Sequence, residues 1–341
     1  MNHCPVARKP AIRLGSTARL AIVACCAALT VSACVNSASP TAAAPSTGSH
    51  SVRNGLISFT RFDPRGSHLY TVAPSGGPEH RLSDDAGVQA HSAWSPSGTV
   101  VSYTQVNVDG SSINTMNADG GNVTSVLTGN PWALVPSWSP DGMRLAFTSN
   151  ATGDYQVYTM GADGSDVTQV THAPSGTTYV GPKYSPDGRQ FAVALHRPQD
   201  PKDVQDLWVM GITGSNLKRL TNGMNNAESR TWSPDGKQIA FNAVVRGIGQ
   251  IFVINADGTG LRQLTHNPGT TPAFAPGGIF PTMRGDVTPA WSPDGTRIAY
   301  ASDIGGNFDI YTMKPDGSDV VQVTRTPQQE LSVGWSPRPG N

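Results

Sequence analysis

Cysteine is absent from the chain after residue 34. The four cysteines are Cys4, Cys25, Cys26 and Cys34. Residues 35–341 therefore cannot form an intrachain disulfide, and in an exported protein this part must be stabilised by its core. Charged residues are also scarce, at 14% of the 341 residues. Of the 24 basic residues, four precede residue 34, where there is no acid, which leaves 20 basic against 24 acidic residues. A mildly acidic body gives no electrostatic reason to expect nucleic acid as a partner.

The N-terminal apolar run is too short to span a membrane. Residues Leu20–Ala33 number 14, whereas a spanning helix needs roughly 20. They follow a basic stretch and end in small residues, which is typical of a secretory signal. Residues 31–34, Val-Ser-Ala-Cys, resemble a bacterial lipobox, in which the cysteine is lipidated and becomes the new N-terminus. We therefore predict a lipoprotein signal peptide over residues 1–33 and a lipid such as palmitate on Cys34; an ordinary signal peptide is the alternative.

Residues 34–52 are predicted to form a flexible tether. They consist mainly of Ser, Ala, Thr, Pro and Gly. Such residues bury too little apolar surface to offset the entropy lost on ordering. The tether would connect the lipid to the folded part of the chain, which we expect over residues 53–341.

Glycine and proline are abundant, with 37 and 27 residues, and they mark a repeat. An aromatic-Ser-Pro-x-Gly motif occurs five times, and a truncated copy ends the chain. The copies begin at Trp94, Trp138, Tyr184, Trp232, Trp291 and Trp335. Three further apolar runs follow each full copy, of which the second usually leads into Asp-Gly and the last ends in Leu-Thr or Val-Thr. Four strands per 44–48 residues is the size of one propeller blade.

The two ends of the chain predict how the ring closes. The segment before Trp94 supplies the second, third and fourth strands of a blade, and the segment after Thr324 supplies only a first strand. Together they complete a sixth blade, and their pairing removes the exposed edge of an open array. We therefore predict an all-β, six-bladed β-propeller closed by pairing of the N- and C-terminal strands. In each motif the aromatic ring is expected to wedge between neighbouring sheets, and Pro and Asp-Gly to end one strand and turn into the next.

This combination of Trp-Ser-Pro-Asp-Gly, Asp-Gly and Leu-Thr resembles the TolB-type, WD40-like propeller repeat. The likeness covers about residues 55–337. It implies the propeller fold but no particular partner, because one fold hosts many functions. TolB itself has an additional α/β domain before its propeller, whereas only the predicted tether stands there in this sequence. The expectation is therefore a TolB-like propeller that lacks the N-terminal TolB domain.

Signatures of catalysis are scarce. The sequence has no Gly-x-Ser-x-Gly nucleophile elbow, which the hydrolase domain of a propeller protease would need. The Asp-Gly pairs lack the alternating ligands and closing Glu of a calcium loop, so they are interpreted as turns. We predict no cofactor and no catalytic residue. One enzymatic alternative stays open, because some propellers that resemble this repeat, notably oligogalacturonide lyases, hold a metal with several histidines in the central funnel.

Candidate binding residues lie on the connections that enter the first strand of a repeat. The histidines at such positions are His91, His172 and His266. The acidic residues are Glu228, Asp286 and Glu330, which would make an acidic rim that attracts a cationic group. No closely spaced His pair points to a metal site. The alternative is that all six are solvated loop residues.

One connection is longer than its counterparts. Residues His266–Pro289 exceed the equivalent segments by about 14 residues and include Phe274, Phe280 and Arg284. An insertion in one repeat maps to a loop on one face, which is often the binding face. Packing of these aromatic residues over the propeller's own mouth is the alternative. By strand order, this loop and a smaller excursion, His196–Asp206, should lie on the same face.

Together these features predict a non-catalytic, monomeric lipoprotein of the bacterial cell envelope, held by its lipid on the outer side of the cytoplasmic membrane. Its propeller is expected to bind a protein or another envelope component at the funnel mouth. A metal-dependent, lyase-like carbohydrate-active enzyme is the main alternative. A purely structural spacer is a third hypothesis.

Overall fold

The computed structural model describes residues 54–63, 66–84, 87–107, 110–129, 132–197, 205–224, 229–269 and 283–337. The predicted signal peptide, Cys34 and the tether lie outside these residues. Within the described ranges every regular element is a β-strand, and no helix there is both long and apolar enough to cross a bilayer.

The strands follow the sequence repeat. Three strands precede the first motif: β1 (Asn54–Asp63), β2 (Gly66–Val72) and β3 (His80–Arg81). The next eight are β4 (Gly87–Trp94), β5 (Val100–Asn107), β6 (Gly110–Asn117), β7 (Thr124–Leu127), β8 (Ala133–Trp138), β9 (Arg144–Ser149), β10 (Gln156–Gly161) and β11 (Thr168–Gln169). The next eight are β12 (Thr178–Tyr184), β13 (Gln190–His196), β14 (Asp206–Gly211), β15 (Lys218–Arg219), β16 (Arg230–Trp232), β17 (Gln238–Val245), β18 (Ile248–Asn255) and β19 (Arg262–Gln263). The last five are β20 (Asp286–Trp291), β21 (Ile298–Ser302), β22 (Asp309–Met313), β23 (Val321–Gln322) and β24 (Gln329–Pro337).

The strands form five sheets. Four are four-stranded and antiparallel, with strands in chain order: β8–β11, β12–β15, β16–β19 and β20–β23. The fifth has eight strands, in which the set β24-β1-β2-β3 joins the set β4–β7 through a short parallel pairing of Gly66 with Gly87 and Ser67 with Val88. The first strands contact one another in the order β4, β8, β12, β16, β20 and β24, and β24 contacts β4. Sheets that radiate from a central axis, with their first strands innermost, form a β-propeller.

The first and last described strands meet in one sheet. Strand β24 pairs antiparallel with β1, with Ile57 opposite Trp335 and Phe62 opposite Gln329. The side chains of Ile57 and Phe59 in β1 are fully buried. Neither strand is therefore left as an edge with open donors and acceptors.

The core lies between the sheets. Trp232 packs against Leu207 of the preceding sheet and Ile239 of its own, and Trp291 is placed in the same way between two sheets. The indole nitrogen of Trp232 also donates a hydrogen bond to the backbone oxygen of Lys183, at 3.1 Å. The predicted wedging of the motif aromatics between sheets is confirmed for these two residues.

The Ser-Pro-Asp-Gly turns have one shared geometry. In the second motif, the Asp141 carboxylate accepts hydrogen bonds from the Ser139 hydroxyl at 2.5 Å and from the Met143 backbone at 2.9 Å. Gly142 has a φ of 73°, which a residue with a Cβ rarely adopts. The Ser139 hydrogen bond is the main cause that lowers the pKa of Asp141. The same bonds recur at Asp187, Asp235 and Asp294, so this face of the propeller repeats with little variation.

Removal of β24 tests how far the fold depends on the paired termini. Deletion of residues 329–341 should abolish cooperative thermal unfolding or cause aggregation, because β1 would lose its partner and expose buried Ile57 and Phe59. Deletion of residues 338–341 alone, which begin after β24 ends, is the control and should melt as the full chain does. Equal melting curves for the two deletion variants would show that the fold does not depend on the pairing of β24 with β1.

Candidate functional site

A cavity of about 210 Å³ lies where the first strands meet; we call it the funnel cavity. Strands β4, β8, β12, β16, β20 and β24 contribute to its wall. The lining residues on these strands are Ala90, His91, Ser92, Leu134, Val135, Val180, Gly181, Lys183, Arg230, Thr288, Pro289, Leu331, Ser332 and Val333. Since β-strands alternate their side chains between two faces, a break in the alternation is needed to place consecutive residues on the wall.

That break is a β-bulge three residues before the motif aromatic. The pairing register shifts at this point in β4, β8, β12 and β20. The residues three before the aromatic have left-handed backbone in five first strands: His91 (φ 56°), Val135 (56°), Gly181 (59°), Thr288 (51°) and Ser332 (56°). For a residue with a Cβ this costs of order 1–3 kcal/mol, and such strain is often found at functional sites.

Hydrogen bonds between neighbouring sheets hold two of the bulges. The backbone nitrogen of Val135 donates to Thr104 Oγ1 at 3.1 Å, and that of Gly181 donates to Thr148 Oγ1 at 2.8 Å. Each threonine lies on the second strand of the preceding repeat and is fully buried. The cavity wall is therefore fixed by the same contacts that join the sheets.

One end of the funnel cavity is apolar and is built by connections. Trp132 and Met283 come from connections that enter a first strand, whereas Tyr155 and Gln205 come from connections between second and third strands. Trp132 and Tyr155 pack together with Val106 in a small apolar cluster. Both kinds of connection thus meet at the same end of the cavity, as strand order predicts; this end is called the mouth.

The other end of the funnel cavity is basic. Lys183 is one residue before the motif aromatic of β12, and Arg230 is two residues before that of β16, which places both towards the Ser-Pro turns. Arg230 is buried, and its Nη1 donates to the backbone oxygen of Val180 at 2.6 Å. We call Lys183 and Arg230 the basic end.

The charges in the cavity act on one another. Desolvation and, second, the charge of Arg230 lower the pKa of Lys183 to about 8. Desolvation and, second, the charge of Lys183 lower the pKa of His91 to about 4, so this imidazole is neutral at pH 7. Burial raises the pKa of Tyr155 to about 12. At neutral pH the described lining residues therefore include two cationic groups, Lys183 and Arg230.

The three histidines proposed from the sequence are not brought together. His91 lines the funnel cavity. His172 is exposed beside a separate shallow depression formed with Asp154 and Gln169. His266 is exposed, and its Nδ1 lies 3.2 Å from Gln263 Nε2. Among the described residues, no group of three or more His, Cys, Asp or Glu side chains has the geometry of a metal site.

Asp286 and Glu330 do not form the acidic rim that the sequence analysis predicts, because both are buried. Asp286 is 3% exposed and accepts a hydrogen bond from Asn267 Nδ2 at 3.0 Å. Burial raises its pKa. Glu330 is fully buried and binds Arg61, whose Nε lies 3.0 Å from Oε1, and the hydroxyl groups of Thr324 and Thr326. Their carboxylates are thus engaged inside the protein and do not face a ligand.

Arg284 is also engaged within the fold, since its Nη2 donates to the backbone oxygen of Gly269 at 2.5 Å. It is not among the lining residues of the funnel cavity. Glu228, Phe274 and Phe280 lie outside the described residues, so their predicted roles stay predictions.

Lys183 and Arg230 were missed by the sequence analysis. The sequence contains a signal that could have identified them, namely a basic residue one or two positions before a motif aromatic, inside a first strand. At the position of Lys183, other repeats have the small residues Ala93, Ser137, Ala290 and Gly334. The predicted candidates His91, Glu228, Asp286 and Glu330 instead lie three to five positions before the aromatic, where connections were expected.

Substitution of Glu330 tests its structural role. Glu330→Gln should lower the free energy of unfolding by about 2 kcal/mol, because Arg61 loses a fully buried charged partner and keeps only the more exposed carboxylate of Glu79. The matched control is Asp319→Asn, which removes an exposed partner of Arg297 and should cost far less, because solvent screens an exposed ion pair. Denaturant unfolding measures both, and equal losses would contradict the buried role of Glu330.

Comparisons with known proteins agree with this architecture. The sequence matches the family model of the TolB beta propeller domain over residues 33–192 and 175–283. Dipeptidyl-peptidase 5 from Porphyromonas endodontalis is 33% identical over 134 residues, which are 39% of this chain and 17% of that protein. The Tol-Pal system protein TolB from Anaeromyxobacter dehalogenans is 32% identical over 112 residues, which are 33% of this chain and 21% of that protein.

Each match spans less than a quarter of the length of these relatives. The crystal structure of TolB from Acinetobacter baumannii superposes with a TM-score of 0.68 at 20% identity, over 83% of this chain and 67% of that chain. This likeness shows the propeller fold. Because the family model covers most of the sequence, the chain belongs to the TolB beta propeller domain family.

Proposed function

We propose that this chain is a non-catalytic binding protein of the bacterial cell envelope, with the funnel cavity as its binding site. The observation that carries the proposal is a contrast between the two faces. On the cavity wall, the residue three positions before the motif aromatic varies from repeat to repeat. The residues at this position are His91, Val135, Gly181, Ser229, Thr288 and Ser332. On the opposite face the Ser-Pro-Asp-Gly turns repeat almost unchanged. Selective recognition needs distinctive groups in a concave site.

The proposal includes a six-bladed ring. It counts the eight-stranded sheet as two blades, β24-β1-β2-β3 and β4–β7, beside the four separate sheets. Support comes from the order in which the six first strands contact one another. It also comes from the pairing of β24 with β1.

The proposal also includes export and lipid anchoring. The sequence pattern over residues 1–34 and the likeness to TolB, a Tol-Pal system protein by name, support a place in the envelope. Cys34 would carry the lipid, residues 34–52 would act as the tether, and the partner would be a protein or another envelope component. The propeller would act as a monomer.

A peptidase function receives less support. Dipeptidyl-peptidase 5 is a peptidase by name, but the match covers only 17% of its length and the present sequence has no nucleophile elbow. A lyase-like metal enzyme would need several histidines at one place. His172 and His266 lie apart from the cavity that His91 lines.

Blocking the funnel cavity tests the binding site. We expect cross-linking in bacterial cells to capture complexes of the full chain; Val333→Trp, or Leu134→Trp if the first does not fold, would fill the cavity with an indole and should abolish them. Met143→Trp is the control, because Met143 is 55% exposed in a Ser-Pro turn on the opposite face, and it should leave the complexes unchanged. Thermal melts establish that the variants are folded. Complexes that persist in a folded Val333→Trp variant would place the site elsewhere.

Substitution of Cys34 tests the anchor. Cys34→Ala should lose the lipid that mass spectrometry detects on the parent, and should move the protein out of the membrane fraction or leave its signal uncleaved. Cys26→Ala, which alters a cysteine within the predicted signal, is the control and should keep the lipid. A parent protein with no lipid and with unchanged fractionation in the Cys34→Ala variant would refute the lipoprotein prediction.

A further inference from the structure

The funnel cavity is polarised along its axis. Its mouth is apolar, with Trp132, Tyr155 and Met283, and its opposite end holds Lys183 and Arg230. The Lys183 ammonium within a mainly apolar wall is unfavourable by itself, since it is desolvated and lies near the charge of Arg230. A cavity with this arrangement is complementary to a ligand that has an anionic end and an apolar body.

Lys183 has no internal counter-ion within the described ranges. No carboxylate there lies within 4.0 Å of its ammonium group, and the group forms no hydrogen bond. Other basic residues in the same ranges are paired, such as Arg61 with Glu330 and Arg219 with Asp206. Lys183 is half-buried and lines the cavity, so a ligand that enters the cavity reaches its charge.

The size of the cavity limits what enters. A volume of about 210 Å³ is well above the roughly 10–15 Å³ that holds one water molecule. This is room for one side chain or one small organic acid, and not for a folded domain. A larger partner would therefore insert only an end group.

We propose that the funnel cavity binds a carboxylate carried on an apolar body, with the carboxylate against Lys183 and Arg230 and the apolar body against Trp132 and Tyr155. A charge-assisted hydrogen bond from lysine or arginine to a carboxylate is stronger than a neutral one. The inference rests on the proposed binding function and specifies its ligand. The same chemistry is offered by a free organic acid and by the C-terminal residue of a peptide, and the experiment distinguishes these two sources.

The titratable groups around the basic end give the site a defined pH dependence. His91, with a pKa of about 4, and Tyr155, with a pKa of about 12, stay neutral between pH 7 and pH 9, and Arg230 stays charged. Lys183, with a pKa of about 8, is the group that changes. A ligand that binds its protonated form should therefore bind less tightly as the pH rises through about 8, since the free protein then loses the charge.

Isothermal titration of the full chain with four probes tests the proposal. Phenylacetate represents the free acid and phenylacetamide its uncharged counterpart; N-acetylphenylalanine represents a peptide C-terminus and its amide the uncharged counterpart. Binding of phenylacetate assigns a free acid, whereas binding of N-acetylphenylalanine alone assigns a peptide end. Both amides should bind at least tenfold more weakly than their acids, and the affinity of the acid should fall between about pH 7 and about pH 9.

Three variants complete the test. Lys183→Met should weaken binding of the acid roughly ten- to a hundredfold, as expected for loss of a hydrogen bond to a charged group, and should remove the pH dependence. Lys183→Arg should keep most of the affinity, which also controls for folding. Lys237→Met removes an exposed lysine of a Ser-Pro turn and should change nothing.

The outcomes separate this inference from the proposed function. If neither acid binds, or if Lys183→Met binds the acid as the parent does, the carboxylate site is wrong. If in addition Val333→Trp leaves the cellular complexes unchanged, the funnel is not the binding site at all. If Val333→Trp abolishes the complexes while the acids bind independently of Lys183, the binding function stands and the ligand chemistry is different.

Discussion

The pairing of β24 with β1 is the constraint on which the rest of the structure depends. Each sheet buries apolar residues against its neighbours, so a row of sheets is complete only when its last member meets its first. Residues 35–341 contain no cysteine, which leaves this junction to non-covalent contacts. Arg61 on β1 and Glu330 on β24 form a buried ion pair there, and the Arg61 guanidinium lies 4.4 Å from the centre of the Tyr70 ring.

The same packing creates the cavity. First strands that converge on one axis cannot fill it completely, and the bulges three residues before the motif aromatics direct successive residues onto its wall. The bond from Val135 to Thr104 holds strained backbone in place. The backbone of the wall is fixed at such positions while its side chains differ from strand to strand, a combination that favours selective binding.

The charge at the cavity is opposite in sign to the net charge of the body. The body carries more acidic than basic residues, yet Asp286 and Glu330 are used inside the fold. Lys183 and Arg230 line the cavity, where desolvation and, second, the charge of Arg230 lower the pKa of Lys183. A desolvated lysine on the wall of a cavity, in an otherwise well-packed protein, points to function.

The sequence by itself determined the strands, the turns and the propeller class, because these depend on local patterns that recur in each repeat. The patterns are alternating apolar residues, Pro at strand ends and Gly where φ is positive. It also located the face on which the connections meet, since strand order decides that. The tertiary structure alone decided which charges are internal and which line the cavity. Arg61 and Glu330 are 269 residues apart, and no local pattern reports that they meet. The bulge in β12 likewise decided that Lys183 lines the funnel, because one extra residue in a strand changes which side chains face its axis.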